Sequence, residues 1–149
     1  DHLHEMVAEF RQWKVPVVMI PGNHDQVNED GSVHGLIALG AAFHHGRCQA
    51  LIFDRPTLFL DALWLPHCKD NTSLTRLINA VGAGGRESGC KSVFCHVEVN
   101  GAETNDNCRV TGGILVEDLP ENLKIFSGHF HRPQTVVSRN SDAAVTYVG

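Results

Sequence analysis

Three short strand-forming runs constrain this chain most, because each ends in a polar turn or position that carries histidine. Residues 15–20 read Val-Pro-Val-Val-Met-Ile and stop at Pro21-Gly22-Asn23-His24-Asp25. Residues 92–97 read Ser-Val-Phe-Cys-His-Val, with His96 near their end, and residues 123–127 read Leu-Lys-Ile-Phe-Ser and stop at Gly128-His129-Phe130-His131. The first two are apolar without the alternation of a half-exposed strand, the pattern of strands covered on both faces in a parallel α/β sheet. In open α/β sheets the C-terminal edge of the strands is where sites are built. The sequence therefore delivers polar groups to that edge from three separate strands.

The remaining segments fit an α/β chain. Leu3, Met6, Val7, Phe10 and Trp13 recur at helical spacing, which predicts an amphipathic helix over residues 2–14. A short helix over 32–40, opened by Ser32, and strands over 50–53, 57–60 and 62–65 follow. A second clear helix spans 71–81, capped by Thr72 or Asn71 and stopped by Gly82-Ala83-Gly84-Gly85. Residues 98–113 read as loop, and 135–138 with 144–148 alternate like a closing hairpin. No internal repeat or linker divides the chain, so one domain over 1–149 is expected.

Bulk properties narrow the class. Within 149 residues no apolar run approaches the ~18 needed to span a membrane, and the start, Asp1-His2-Leu3-His4-Glu5, lacks the features of a signal peptide. The five cysteines form an odd set with no C-x-x-C pair, which favours a reducing, intracellular and cytoplasmic setting over a disulfide framework. Twelve Lys and Arg against seventeen Asp and Glu give a net charge of -5, so no bulk electrostatic signature for a polyanion exists. Ten histidines are many for this length and direct attention to the strand ends.

Imidazole nitrogens and an amide or carboxylate oxygen suit borderline divalent ions such as zinc, manganese, iron or nickel, and ligands from different strands can enclose an ion without a local signature. Glycines at 22 and 128 are expected to let the backbone turn sharply, so that the next side chains face a common cleft. A second cation module, from His44, His45 and Cys48 with His67 and Cys68, has suitable donors but fits no strong spacing template.

Gly22-Asn23-His24-Asp25, His96 and Gly128-His129-Phe130-His131, in this order, resemble the last three motifs of the calcineurin-like metallophosphoesterase family. The resemblance covers nearly the whole chain. It implies an α/β fold of two packed mixed sheets flanked by helices, an α-β-β-α sandwich, here lacking the first strand or strands. It also implies hydrolysis of a phosphodiester by a hydroxide activated by two divalent metal ions. Asn23, His96 and His129 would hold the second ion and His131 would complete the first. His24 would be the catalytic histidine at the leaving group, oriented by Asp25. Gly128 to Gln134, Tyr147-Val148-Gly149 and Phe94 to Ala102 are similar to the repair and recombination exonuclease-subunit branch. That branch implies DNA as the phosphate-ester substrate and a partner subunit or a homodimer. Arg132 is a candidate phosphate contact, since its guanidinium matches phosphate oxygens in pairs. His34 is expected near the cleft or on a helix surface.

The family's first two motifs, D-x-H and G-D-x-x-D, do not occur in these 149 residues. Asp1 is the one conceivable bridging carboxylate, in a D-x-x-H remnant. The chain on its own is therefore expected to bind metal weakly and to hydrolyse little. The rival reading is a catalytically impaired remnant or scaffold that keeps the phosphoesterase fold without the first metal site.

Overall fold

A computed structural model describes residues 2–28, 31–43, 49–104, 106 and 108–149, apart from the side chains of residues 2–4, 6, 41–43 and 86. Along the chain lie α1 (His2–Phe10), β1 (Val17–Met19), α2 (Leu36–Phe43), β2 (Ala50–Ile52), β3 (Thr57–Phe59) and β4 (Ala62–Leu65). Then come α3 (Asn71–Ala83), α4 (Gly85–Ser88), β5 (Ser92–Cys95), a 3-10 turn (Val116–Asp118), β6 (Lys124–Ser127), β7 (Gln134–Val137) and β8 (Ala144–Tyr147). The architecture is mixed α/β with two sheets. β1 and β2 pair in parallel, and the larger sheet has the order β3-β4-β5-β6-β8-β7. Its centre, β4 through β6 to β8, is parallel, and the β3 and β7 edges are antiparallel.

The two faces of the larger sheet are chemically distinct. Leu63, Leu65, Val93, Ile125, Val145 and Tyr147 belong to the buried core, together with Leu74 and Ile78 of α3. Fully burying each such aliphatic side chain stabilises by about 1.5–3 kcal/mol. The alternating positions form an aromatic ladder: Trp64 and Phe94 stack at 4.4 Å and Phe94 and Phe126 at 5.4 Å between ring centroids. Phe53, just past β2, reaches this ladder 6.1 Å from Trp64.

Three predicted boundaries shift for local reasons. α1 ends at Phe10 instead of residue 14: Gln12 and Trp13 donate to Glu9 and Phe10 carbonyls, tightening the last turn, and Pro16 disfavours helix at Val15. The second helix starts at Leu36, because residues 26–28 pair back against residues 32–34. His34 bridges Gln26, Val27 N–H donates to the Val33 carbonyl, and Ser32 accepts from Asn28 Nδ2 instead of capping a helix. α3 is capped one residue earlier than expected, by Asp70, whose carboxylate accepts from the Ser73 amide at 3.1 Å.

Candidate metal centre

Parallel pairing aligns the ends of β4, β5, β6 and β8, so residues just past Leu65, Cys95 and Ser127 share one edge of the larger sheet. The loop after β1 reaches the same edge through backbone bonds. The His67 amide donates to the Pro21 carbonyl at 2.8 Å, and Gln26 Nε2 donates to the His67 carbonyl at 2.8 Å. That loop is a compact turn in which the Gly22 amide donates to the Asp25 carboxylate at 2.7 Å and the Asp25 amide donates back to the Gly22 carbonyl.

The turn projects Asn23 onto His96, placing Asn23 Oδ1 2.8 Å from His96 Nε2 although the residues are 73 apart in sequence. The His96 and His129 rings meet edge to face at 5.0 Å, and the first residue of the Gly-His-Phe-His stretch explains why: the Gly128 amide is tied to the Cys95 carbonyl, next to His96. Buried Ser127 adds a second tie. Its hydroxyl accepts from the Val97 amide at 3.1 Å and donates to the Val97 carbonyl at 3.0 Å, while accepting a longer bond from the His129 amide. Tyr147 from β8 donates to the same Val97 carbonyl. His96 and His129 are thus fixed to each other through the backbone that precedes and follows them.

Gly22 serves a different purpose from the one expected. Neither Gly22 nor Gly128 has positive φ. A Cβ on Gly22 would lie 2.8 Å from His96 Cε1, so glycine is needed for the imidazole to lie against the backbone. At Gly128 the corresponding distance to His96 Nδ1 is an ordinary 3.7 Å.

Electrostatically the pair is held neutral. Burial pushes the His96 pKa down to about 4, with the neighbouring His129 and His67 adding to the depression and Asp25 opposing it. Burial likewise lowers His129, against the pull of Glu98. His129 Nε2 faces Glu98 Oε2 at 3.9 Å, while Nδ1 is buried with no hydrogen-bond partner among the described residues. Neighbouring Cys95 is a poor nucleophile, since burial raises its thiol pKa to about 12.

The predicted site residues separate into two groups. Asn23, His96 and His129 come together. His131 does not: it is exposed, shares no hydrogen bond or ring contact with those three among the described residues, and reaches His129 only through its charge. His24 is also exposed and acts on His96 and His129 at a distance. Asp25 does not orient His24 by a hydrogen bond; its carboxylate holds the Gly22 amide. Arg132 pairs with Glu103 at 2.7 Å. Asp1, His44, His45 and Cys48 lie outside the described residues.

Sequence alone groups His67 with Cys68 and assigns no role to Glu98 or Ser127. His67 stands at the end of β4, its ring 5.9 Å from that of His96 and 6.4 Å from that of His129. A cavity of about 190 Å³ opens between His67, Lys69 and Asn71 on one side and His96, Glu98 and His129 on the other. The available signal was the same as for the other histidines, a polar residue directly after a buried strand.

Comparison of the chain with family models, with curated proteins and with solved structures finds no match.

The donors present can be tested against a divalent ion. Two atoms each about 2.1 Å from one ion, at octahedral to tetrahedral angles, lie about 3.0–3.4 Å apart. The Asn23–His96 pair at 2.8 Å needs only slight opening to meet that condition. The unpartnered Nδ1 of a neutral His129 is a ready nitrogen donor. The His129 ring stands 5.0 Å from that of His96, next to this pair. Among the described residues no group of three or more His, Cys, Asp or Glu side chains could hold an ion unaided. Of the donors expected for a first ion the described residues offer His131, which makes no hydrogen bond or ring contact with Asn23, His96 or His129.

Proposed function

We propose that this chain forms the leaving-group half of a metal-dependent phosphodiesterase of the calcineurin-like kind, with Asn23, His96 and His129 as the donors for one divalent ion. The observation that carries the proposal is the convergence of an amide oxygen and two neutral imidazoles from the ends of β1, β5 and β6 onto one edge. The reading includes an α-β-β-α sandwich, supported by the contact of Phe53 with the aromatic ladder of the larger sheet.

When bound, divalent ions such as manganese, iron, zinc or nickel supply a nucleophile at neutral pH and offset charge on the phosphoryl oxygens. The chain's own residues do the positioning. Asn23 and His96 approach from opposite loops and fix the ion's place, and Glu98 favours the His129 tautomer with the proton on Nε2, leaving Nδ1 as donor. His24, exposed at the tip of the Gly22–Asp25 turn, is the group free to hold or give a proton at a leaving oxygen. The Asp25 carboxylate sets the position of His24 through the turn, since its bond is to Gly22.

The carboxylates of the first two motifs are not among these residues, which favours the impaired-remnant reading for the chain taken alone. The assay is manganese-dependent hydrolysis of bis-p-nitrophenyl phosphate, by the chain alone and by a form extended at its N-terminus with a segment carrying D-x-H and G-D-x-x-D. In the active form, His96→Ala abolishes turnover while the far-ultraviolet circular dichroism is unchanged. His24→Ala keeps the metal and lowers turnover most for poor leaving groups. Undiminished hydrolysis by His96→Ala removes that residue from the site, and absence of hydrolysis in both forms leaves the scaffold.

A further inference from the structure

His67 has no role in the proposal above, yet it holds the two halves of the site together. Its backbone amide donates to the Pro21 carbonyl at 2.8 Å and its carbonyl accepts from Gln26 Nε2 at 2.8 Å, which brackets the Gly22–Asp25 turn on both sides. Its side chain points the other way: Nδ1 lies 3.3 Å from the backbone carbonyl of His96. A carbonyl only accepts, so this bond requires a proton on His67 Nδ1. The ring stands edge to face with His96 and nearly parallel to His129, on the wall of the cavity they share.

We propose that His67 is a positioning residue: through its backbone to the Asn23 turn and through Nδ1–H to the His96 carbonyl, it sets the distance between Asn23 Oδ1 and His96 Nε2. The functional part of this inference rests on the metal-centre reading, but the brace itself does not. Without the Nδ1–H bond, the side-chain hydrogen bond left between the Asn23 turn and His96 among the described residues is their own pair, which an arriving ion must open. Outer partners of metal ligands typically contribute roughly 10–100-fold to metal affinity.

The test uses the 149-residue chain and three variants, His67→Phe, His67→Asn and His67→Gln. Asn can put an N–H where Nδ1 stands; Gln places its amide near the Nε2 position, and Phe keeps the ring without any donor. Long-range proton–nitrogen spectra of the metal-free wild type are expected to show His67 protonated on Nδ1. The His96 ring and carbonyl signals should move in the Phe and Gln variants and return in the Asn variant. Manganese titration should give roughly tenfold weaker binding for Phe and Gln, with Asn close to wild type. Protonation of His67 on Nε2, unmoved His96 signals in the Phe variant, or equal manganese affinity in all three variants overturns the proposal. A wild type that shows the Nδ1 signature and its rescue but binds no manganese refutes the metal-centre reading and leaves the brace standing.

Discussion

A methyl group at position 22 is the sharpest probe of how the site is built. In Gly22→Ala the new Cβ falls 2.8 Å from His96 Cε1, 3.0 Å from Nδ1 and 3.1 Å from Nε2. Carbon atoms rest at about 3.5–4.0 Å, so the ring must retreat by roughly 0.7–1.2 Å. It cannot slide freely: Asn23 holds Nε2 at 2.8 Å, and the His129 ring lies 5.0 Å away. Overpacking of this size costs about 1–3 kcal/mol. For a chain of 149 residues each kcal/mol lowers the melting temperature by about 2–4 °C, so ~2 kcal/mol corresponds to a fall of about 4–8 °C. Thermal melting followed by circular dichroism reads the cost, and the His96 imidazole signals read the displacement. Gly128→Ala is the internal control, because its Cβ meets His96 Nδ1 at 3.7 Å and no ring movement is required. Wild-type melting and unmoved His96 signals in Gly22→Ala would refute the account of why glycine precedes Asn23.

Other expectations follow from the same geometry. The His96 pKa of about 4 in the folded chain lies below its ordinary 6.5, so between those values the unfolded chain takes up a proton that the folded chain refuses. The associated stability is full above pH 6.5 and is lost as pH falls toward 4; after discounting for solvent at a partly exposed ring it is about 1–2 kcal/mol. Urea midpoints at pH 5 and pH 7.5 should differ less in His96→Gln than in wild type, and an unchanged difference contradicts the depressed pKa. Ser127→Ala leaves the Val97 amide without its partner inside the protein and should cost about 1–3 kcal/mol by urea denaturation, with weakened His96–His129 contact in their proton spectra. Buried Cys95 should resist a thiol reagent that labels exposed Cys68 and Cys108 in the native chain, and equal labelling would contradict its burial.

Much of the fold was legible because strand and helix signals were local. The continuous apolar runs at 15–20 and 92–97 contain β1 and β5, and the hairpin read at the end of the chain is the β7–β8 pair. The helix boundaries were less legible, since they depend on competing side chains: Asn28 captures Ser32, and Asp70 takes the cap in place of Thr72. Asn23, His96 and His129 were found from one rule, a polar residue at the end of a buried strand. The same rule applies to His67 after β4, but its neighbour Cys68 drew it into a different grouping with histidines far along the chain. The roles of Gly22 and Asp25 depend on a ring packed from another strand and on a turn closing on itself, and neither contact has a signature within the tetrapeptide.

The central claim, that donors from three separate strand ends converge on one divalent ion, is tested most directly by manganese added to the 149-residue chain while histidine ring signals are followed. The account predicts that about one equivalent broadens His96 and His129 first, before His131 and the other exposed histidines, and that His96→Ala removes the effect. Broadening confined to exposed histidines with His96 and His129 untouched, or the same broadening of His129 in His96→Ala, would contradict it.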